Sequence, residues 1–268
     1  MQVRALKCFG AAPGGGNPAL VIEGDKSDEA ARLAFAGARN TTCVFLDGEV
    51  VDFYYPHMRS PLCLHATLAV AHTLFARRPD APLLAVTTAM GGQRLELVRE
   101  GADYFVRLRT LEVAQPQLTP GLLERLLAAP GLVPASAPRM ASVGSPKLLV
   151  EVRDAALLHG LRPSLEAITA WGKAHAVNGI YAWCRLPDGR VEGRNFNHLD
   201  PQLEDSATGV AAGALTALLG HGLTLLQGRA TGQECVIKTR VEGDAILAGG
   251  RAEPAPVVTA FDPGGKPA

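Results

Sequence analysis

The sequence has no excess of charge of either sign: 26 lysines and arginines face 26 aspartates and glutamates across 268 residues. A balanced chain carries no electrostatic footprint for a phosphate backbone, so nucleic acid is not expected as a partner. Nor is there a basic run or basic amphipathic stretch to hold a membrane surface. Long hydrophobic runs are missing as well. The richest apolar stretch, Leu62 to Ala76, is broken by His65 and His72, and it falls short of the ~20 residues that span a bilayer. The opening residues, Met1-Gln2-Val3-Arg4-Ala5-Leu6-Lys7, hold no apolar core of signal-peptide length. A cytoplasmic protein is expected.

Paired cysteines are also absent. Cys8, Cys43, Cys63, Cys184 and Cys235 are odd in number, far apart and never in a CxxC spacing. Neither a disulfide framework nor a metal site is signalled. Four of these thiols read as buried apolar side chains, and Cys63 is taken up below.

What is present is apolar content, 47% of residues, enough to bury a substantial core. Asp47-Gly48 separates Thr41–Leu46 from Val50–Tyr55, a strong tight-turn signal between strands. Gly101 separates Leu95–Arg99 from Tyr104–Leu108. Pro187-Asp188-Gly189 and Glu242-Gly243-Asp244 divide two more pairs, Gly179–Leu186 from Val191–Phe196 and Cys235–Val241 from Ala245–Ala248. Antiparallel meanders therefore dominate. Helices are few: Ser27 is placed to cap Asp28–Arg39, Thr119-Pro120 to open Gly121–Ala128, and Ser164 to cap Leu165–His175. Between Ala114 and Pro138 the chain turns rich in proline, alanine and serine. That shift predicts a crossover (114–138) between an N-terminal lobe (1–113) and a C-terminal lobe (139–268).

An internal echo locates a candidate site. His65-Ala66-Thr67-Leu68-Ala69-Val70-Ala71 and Ser206-Ala207-Thr208-Gly209-Val210-Ala211-Ala212 share Ala-Thr followed by small apolar residues. Each predicts a helix buried inside a sheet layer, with polar residues at its start: His65 in one, Asp205 and Ser206 in the other. A helix start offers unpaired N–H groups and partial positive charge, a seat for a carboxylate.

At these residues the chain resembles the phenazine-biosynthesis PhzF family, which shares its fold with diaminopimelate epimerase and proline racemase. Gly16-Asn17-Pro18-Ala19 resembles the family's GNPA, and Leu62-Cys63-Leu64-His65-Ala66-Thr67-Leu68 its LCGHATL. Ser142-Val143-Gly144-Ser145-Pro146 stands for STG-x-P. Arg194-Asn195-Phe196 with Glu204-Asp205-Ser206-Ala207-Thr208-Gly209 resembles R-x-F…EDPATG. Gln227-Gly228 and Gly249-Gly250-Arg251-Ala252 complete the series. The resemblance implies an α+β fold of two pseudo-symmetric lobes, each a curved, mostly antiparallel sheet or barrel around a central helix. It further implies a homodimer, no cofactor, and isomerisation of a small carboxylate by proton transfer, as in secondary-metabolite biosynthesis.

Three positions depart from the family pattern. Thr41 stands where the family's acid/base glutamate is usual, Leu64 replaces the glycine before the histidine, and Val210 the serine after ATG. A threonine hydroxyl is a poor general base near neutral pH. The acid/base set then falls to His65, whose type titrates near neutrality, to Asp205, and to Cys63 as a thiolate. Cys63 also matches one of the two catalytic cysteines of diaminopimelate epimerase, with Ser206 near the second, so two-sided transfer at an α-carbon stays open. So do a double-bond isomerase for an unsaturated amino or cyclic acid, and a carboxylate-binding protein without catalysis. Asn17, Leu64, Ser206, Thr208, Gly209 and Val210 are the candidate substrate contacts, with Thr41 as a hydrogen bonder. His72 reads as structural, and Trp171 and Trp183 as core or interface anchors.

Overall fold

In each half of the chain, a helix of small residues forms the crossover between two parallel strands. This computed structural model describes residues 1–197 and 204–256, so the last part of the expected C-terminal lobe, 257–268, lies outside the described residues. The first half runs β1 (Gln2–Cys8), β2 (Asn17–Glu23), α1 (Glu29–Arg39), β3 (Thr42–Asp47), β4 (Val50–Tyr54), β5 (Arg59–Ser60), α2 (Leu64–Arg77), β6 (Leu83–Thr88), β7 (Arg94–Glu100) and β8 (Asp103–Arg109). A short helix α3 (Leu122–Leu126) interrupts the crossover segment. The second half repeats the order: β9 (Arg139–Ala141), β10 (Lys147–Glu151), α4 (Ala155–Gly160), α5 (Leu165–His175), β11 (Ile180–Arg185), β12 (Val191–Phe196), β13 (Glu204–Asp205), α6 (Gly209–Leu219), β14 (Thr224–Gln227), β15 (Cys235–Glu242) and β16 (Ala245–Ala255).

The pairings repeat as well. β2 and β3 are parallel, as are β10 and β11. β4 and β6 are parallel around α2, and β12 and β14 around α6. The remaining ladders among the described residues are antiparallel. β16, the counterpart of β8, pairs with both β8 and β1 and closes an eight-stranded barrel, β1-β2-β3-β4-β6-β7-β8-β16, around α2. The second sheet, β16-β15-β14-β12-β11-β10-β9, wraps α6. Between β8 and β9 it has one isolated bridge, Leu111 to Ser142. The architecture is the α+β, two-lobed one expected from the sequence.

Small side chains make the enclosure possible. Ala66, Ala69 and Ala71 of α2, and Ala211, Ala212 and Ala214 of α6, have no exposed surface. At Gly213 a β-carbon would lie 2.8 Å from Val143 Cγ2, so the helix approaches the sheet where no side chain intervenes. One continuous core joins both helices to the inner faces of both sheets. A second core lies under α3, α4 and α5 on the outer face of β10–β12, and a third lies under α1.

The predicted hairpins form, three of them with two-residue connections: Asp47 opposite Val50, Glu100 opposite Asp103 and Glu242 opposite Ala245. The caps are corrected in two places. Asp28, not Ser27, caps α1, accepting from Ala31 N at 2.9 Å, because the Ser27 hydroxyl is already engaged with Asp25. Gly121 in the left-handed conformation caps α3, which leaves Pro120 outside the helix. Ser164 caps α5 as expected. Trp183 is buried, His72 packs edge-on against Tyr104, and all five cysteines are free and buried.

Candidate active site

The starts of α2 and α6 come together at the seam between the lobes. Cys63 occupies the cap position of α2 in extended backbone and Thr208 that of α6. At neither helix does the side chain of the cap residue accept from an amide of the first turn, and neither first turn holds an acidic residue. The free amides and partial positive charge of both helix starts are therefore available to an anion. Leu64, in the first turn of α2, packs directly on the α-carbon of Gly209.

A tight loop brings a third element to this point. At Gly16, φ is 109° and a β-carbon would lie 2.5 Å from the Cys8 carbonyl oxygen, a conformation and approach that suit glycine. The chain then enters β2 at Asn17, opposite Cys8. The Asn17 Nδ2 donates to Asp205 Oδ1 at 3.1 Å and lies 3.4 Å from His65 Nδ1. Asn17 and His65 belong to the first barrel and Asp205 to the second sheet, so one amide ties the two lobes' polar groups into a line.

Asp205 is held from several sides. Thr208 Oγ1 donates to its Oδ2 at 2.6 Å, so both carboxylate oxygens accept a hydrogen bond. Gln227 Nε2 donates to the Asp205 carbonyl at 2.7 Å, and Tyr181 donates to Gln227 Oε1 at 3.1 Å. Glu204, the preceding residue, forms a forked pair with the buried Arg194, which also donates to the carbonyls of Leu158 and Leu161. Such a pair fixes orientation as well as charge.

The electrostatics centre on His65. Burial alone would lower its pKa, but Cys63 at 3.4 Å, the Asp205 charge and the Pro18 carbonyl outweigh burial and raise it above the ordinary value. Burial, reinforced by Cys63 and Asp205, pushes the Tyr55 hydroxyl well above its ordinary range. Lys147 is 1% exposed and donates to the Asn178 carbonyl. Burial takes its pKa down to about 8 against the opposing pull of Asp205. Asn195, cross-strand from Asp205, keeps both polar ends of its side chain buried and unpaired among the described residues.

Asn17, Cys63, His65, Asp205 and Thr208 thus form one hydrogen-bonded cluster, with Leu64 and Gly209 in contact beside it. Two candidates are bonded elsewhere. The Thr41 hydroxyl donates to the Arg39 carbonyl at 2.9 Å, closing the turn after α1. The Ser206 hydroxyl lies 2.8 Å from that of Thr231. Val210 is half-buried against the shared core. Sequence inspection missed Tyr55, Tyr181 and Lys147, which carry no local signal. Gln227 was visible as half of a Gln-Gly motif, though without a role. Among the described residues no group of three or more histidine, cysteine, aspartate or glutamate side chains is placed to hold a metal ion. No helix among them is long and apolar enough to cross a membrane.

Known proteins resemble this chain along most of its length. The chain is 29% identical over 270 residues to the uncharacterized isomerase YddE of Salmonella typhimurium, covering 90% of each chain. It is 32% identical over 247 residues to an uncharacterized isomerase of Deinococcus radiodurans, covering 85% of this chain and 79% of that one. Among solved structures, a predicted epimerase from Pseudomonas aeruginosa superposes with a TM-score of 0.76 at 23% identity, covering 96% of this chain and 99% of that one. A phenazine biosynthesis protein of the PhzF family from Enterococcus faecalis gives 0.75 at 19%, covering 95% and 96%. A hydroxyproline epimerase from Agrobacterium vitis, with trans-4-hydroxy-L-proline bound, gives 0.56 at 12%, covering 96% and 91%. The family model of phenazine biosynthesis-like proteins matches residues 6–253, and the chain belongs to that family, PhzC-PhzF.

Proposed function

We propose that the protein is a cofactor-independent isomerase that moves a proton, and with it a double bond, within a small carboxylate metabolite. The observation that carries this reading is the line His65–Asn17–Asp205 drawn across the two helix starts. The uncapped amides of α2 and α6 would seat the substrate carboxylate. His65, whose pKa is raised, would carry a proton and deliver it to one substrate atom. Asp205, oriented by Asn17 and Thr208, would accept the proton leaving another, and passage of that proton from Asp205 to His65, directly or through solvent, would restore the starting state. The names of the curated relatives, isomerase in each case, support the reaction class. The family description supports a place in specialised metabolism.

The test is incubation of small unsaturated and cyclic amino acids with the protein in D2O, followed by NMR for isomer formation and deuterium at carbon. Isomer with exchanged label is the expected result. His65→Ala and Asp205→Ala should each slow turnover by ~10²-fold or more. Full turnover in both variants would remove the assignment.

A second reading has one observation in its favour. The hydroxyl of Thr41 is committed to the Arg39 carbonyl, at the position where the family resemblance places a glutamate. A protein that binds carboxylates without transforming them would show saturable binding with neither isomer nor exchange.

A further inference from the structure

The outer face of β7 and β8 carries a groove that the isomerase reading does not use. Strand alternation sends Leu95, Leu97, Val106 and Leu108 into the first barrel and leaves Arg94, Glu96, Arg107 and Arg109 outside. With Val143 and Gly144 of the second lobe, these four residues line a hollow of about 510 Å³. Glu96 faces Arg107 in the antiparallel register and pairs with it at 3.2 Å, and Arg107 is paired again with Glu242 at 2.7 Å. Two residues beyond that pair on each strand, past the end of the β7–β8 ladder, Arg94 and Arg109 line the same hollow. Neither guanidinium has an ion-pair or hydrogen-bond partner among the described residues.

Like charges that share one side of a sheet repel each other. Two unneutralised guanidinium groups at one end of a hollow match a doubly charged oxyanion, whose oxygens accept the paired N–H groups of each fork. We propose that this groove binds a small phosphate-bearing metabolite through Arg94 and Arg109. Its far wall belongs to the other lobe. A β-carbon at Gly144 would lie 3.0 Å from Leu62 Cδ2, and Leu62 leads directly into Cys63, Leu64 and His65. A ligand held there would bridge the first barrel to the segment packed behind the start of α2.

The experiment is calorimetric titration of the full chain with inorganic phosphate in a low-salt amine buffer. Saturable binding is expected. It should weaken at least ~10-fold in R94Q/R109Q, because both forks are lost. Melting in phosphate-free buffer should leave that variant no less stable than wild type, since a repulsion has been removed. R94K/R109K, which keeps the charge and loses the fork, should fall between the two. Absence of saturable uptake by the wild type, or equal uptake by R94Q/R109Q, overturns the proposal. So does malonate binding as tightly as phosphate, which would give the groove to dicarboxylates. A change of oligomeric mass in the variant without any phosphate binding would give it to a second copy of the chain. None of these outcomes depends on turnover at His65.

Discussion

Leu64 lies so close to the α-carbon of Gly209 that no β-carbon fits at position 209. This contact joins the first turn of one central helix to the first turn of the other. It places an apolar side chain where the family resemblance expects a bare glycine.

Gly209→Ala should therefore lower stability by about 1–3 kcal/mol, the usual range for overpacking, despite alanine's better helix propensity. Leu64→Ala alone should cost about 2–5 kcal/mol through the cavity it leaves. Urea denaturation of both single variants and the double variant checks the pair. The double variant should lose clearly less than the sum, because the second change fills the space the first one opens.

The pKa of His65 should lie above the ordinary imidazole value of ~6.5, and Asp205→Asn should lower it, since the Asp205 charge is one of the causes of the rise. A folded-state pKa above the unfolded one adds stability that is complete below the unfolded value and fades as pH rises through the folded one. Asp205→Asn should accordingly destabilise the protein more under mildly acidic than under alkaline conditions. NMR titration of the imidazole with melting curves at several pH values tests both statements. An unmoved His65 pKa in Asp205→Asn would show that the two groups are not coupled.

Lys147 gives the opposite sign. Its folded pKa of about 8 lies below the ordinary 10.5, so between those values the unfolded chain binds more protons. Stability attributable to this residue rises with pH across that window, and its burial penalty is complete below about 8. Lys147→Met should raise stability near pH 7 by about 1–3 kcal/mol, with the gain disappearing above pH ~10.5. Chemical denaturation at neutral and strongly alkaline pH measures the difference.

Thiol chemistry should find four of the cysteines inert. Burial pushes Cys43 and Cys235 up to about 12 and Cys184 to about 11, and Cys8 still higher. Thiolates are the reactive form, so these four should resist iodoacetamide in the native protein at neutral pH and react after denaturation. Peptide mapping after a native pulse reads this directly. If blocking Cys63 leaves turnover intact, a two-sided mechanism involving its sulfur is excluded.

Much of this architecture can be read from the chain, for reasons specific to each element. The Asp-Gly turns, the Ser164 cap and the alanine-rich central helices are local signals, and the structure contains all of them. β16 is different. The sequence reading ends this strand at Ala248, yet it continues to Ala255. There the missing β-carbon of Gly249 admits the Tyr104 carbonyl, and Pro254 sits near the end of the strand opposite Leu6. The grouping of Asn17, His65 and Asp205 is legible only through the family motifs, since 188 residues separate the bonded pair Asn17 and Asp205. Lys147 looks like any surface lysine in sequence, and only the packing around it shows otherwise.

The dual pairing of β16 has a consequence for how the molecule comes into being. Its partners include β1, which precedes it by nearly the full span of both lobes, so the first barrel cannot shut until β16 has left the ribosome. Until then β1 and β8 present open edges, and the emerging half-protein should depend on chaperones and refold slowly, as contacts of such sequence separation demand.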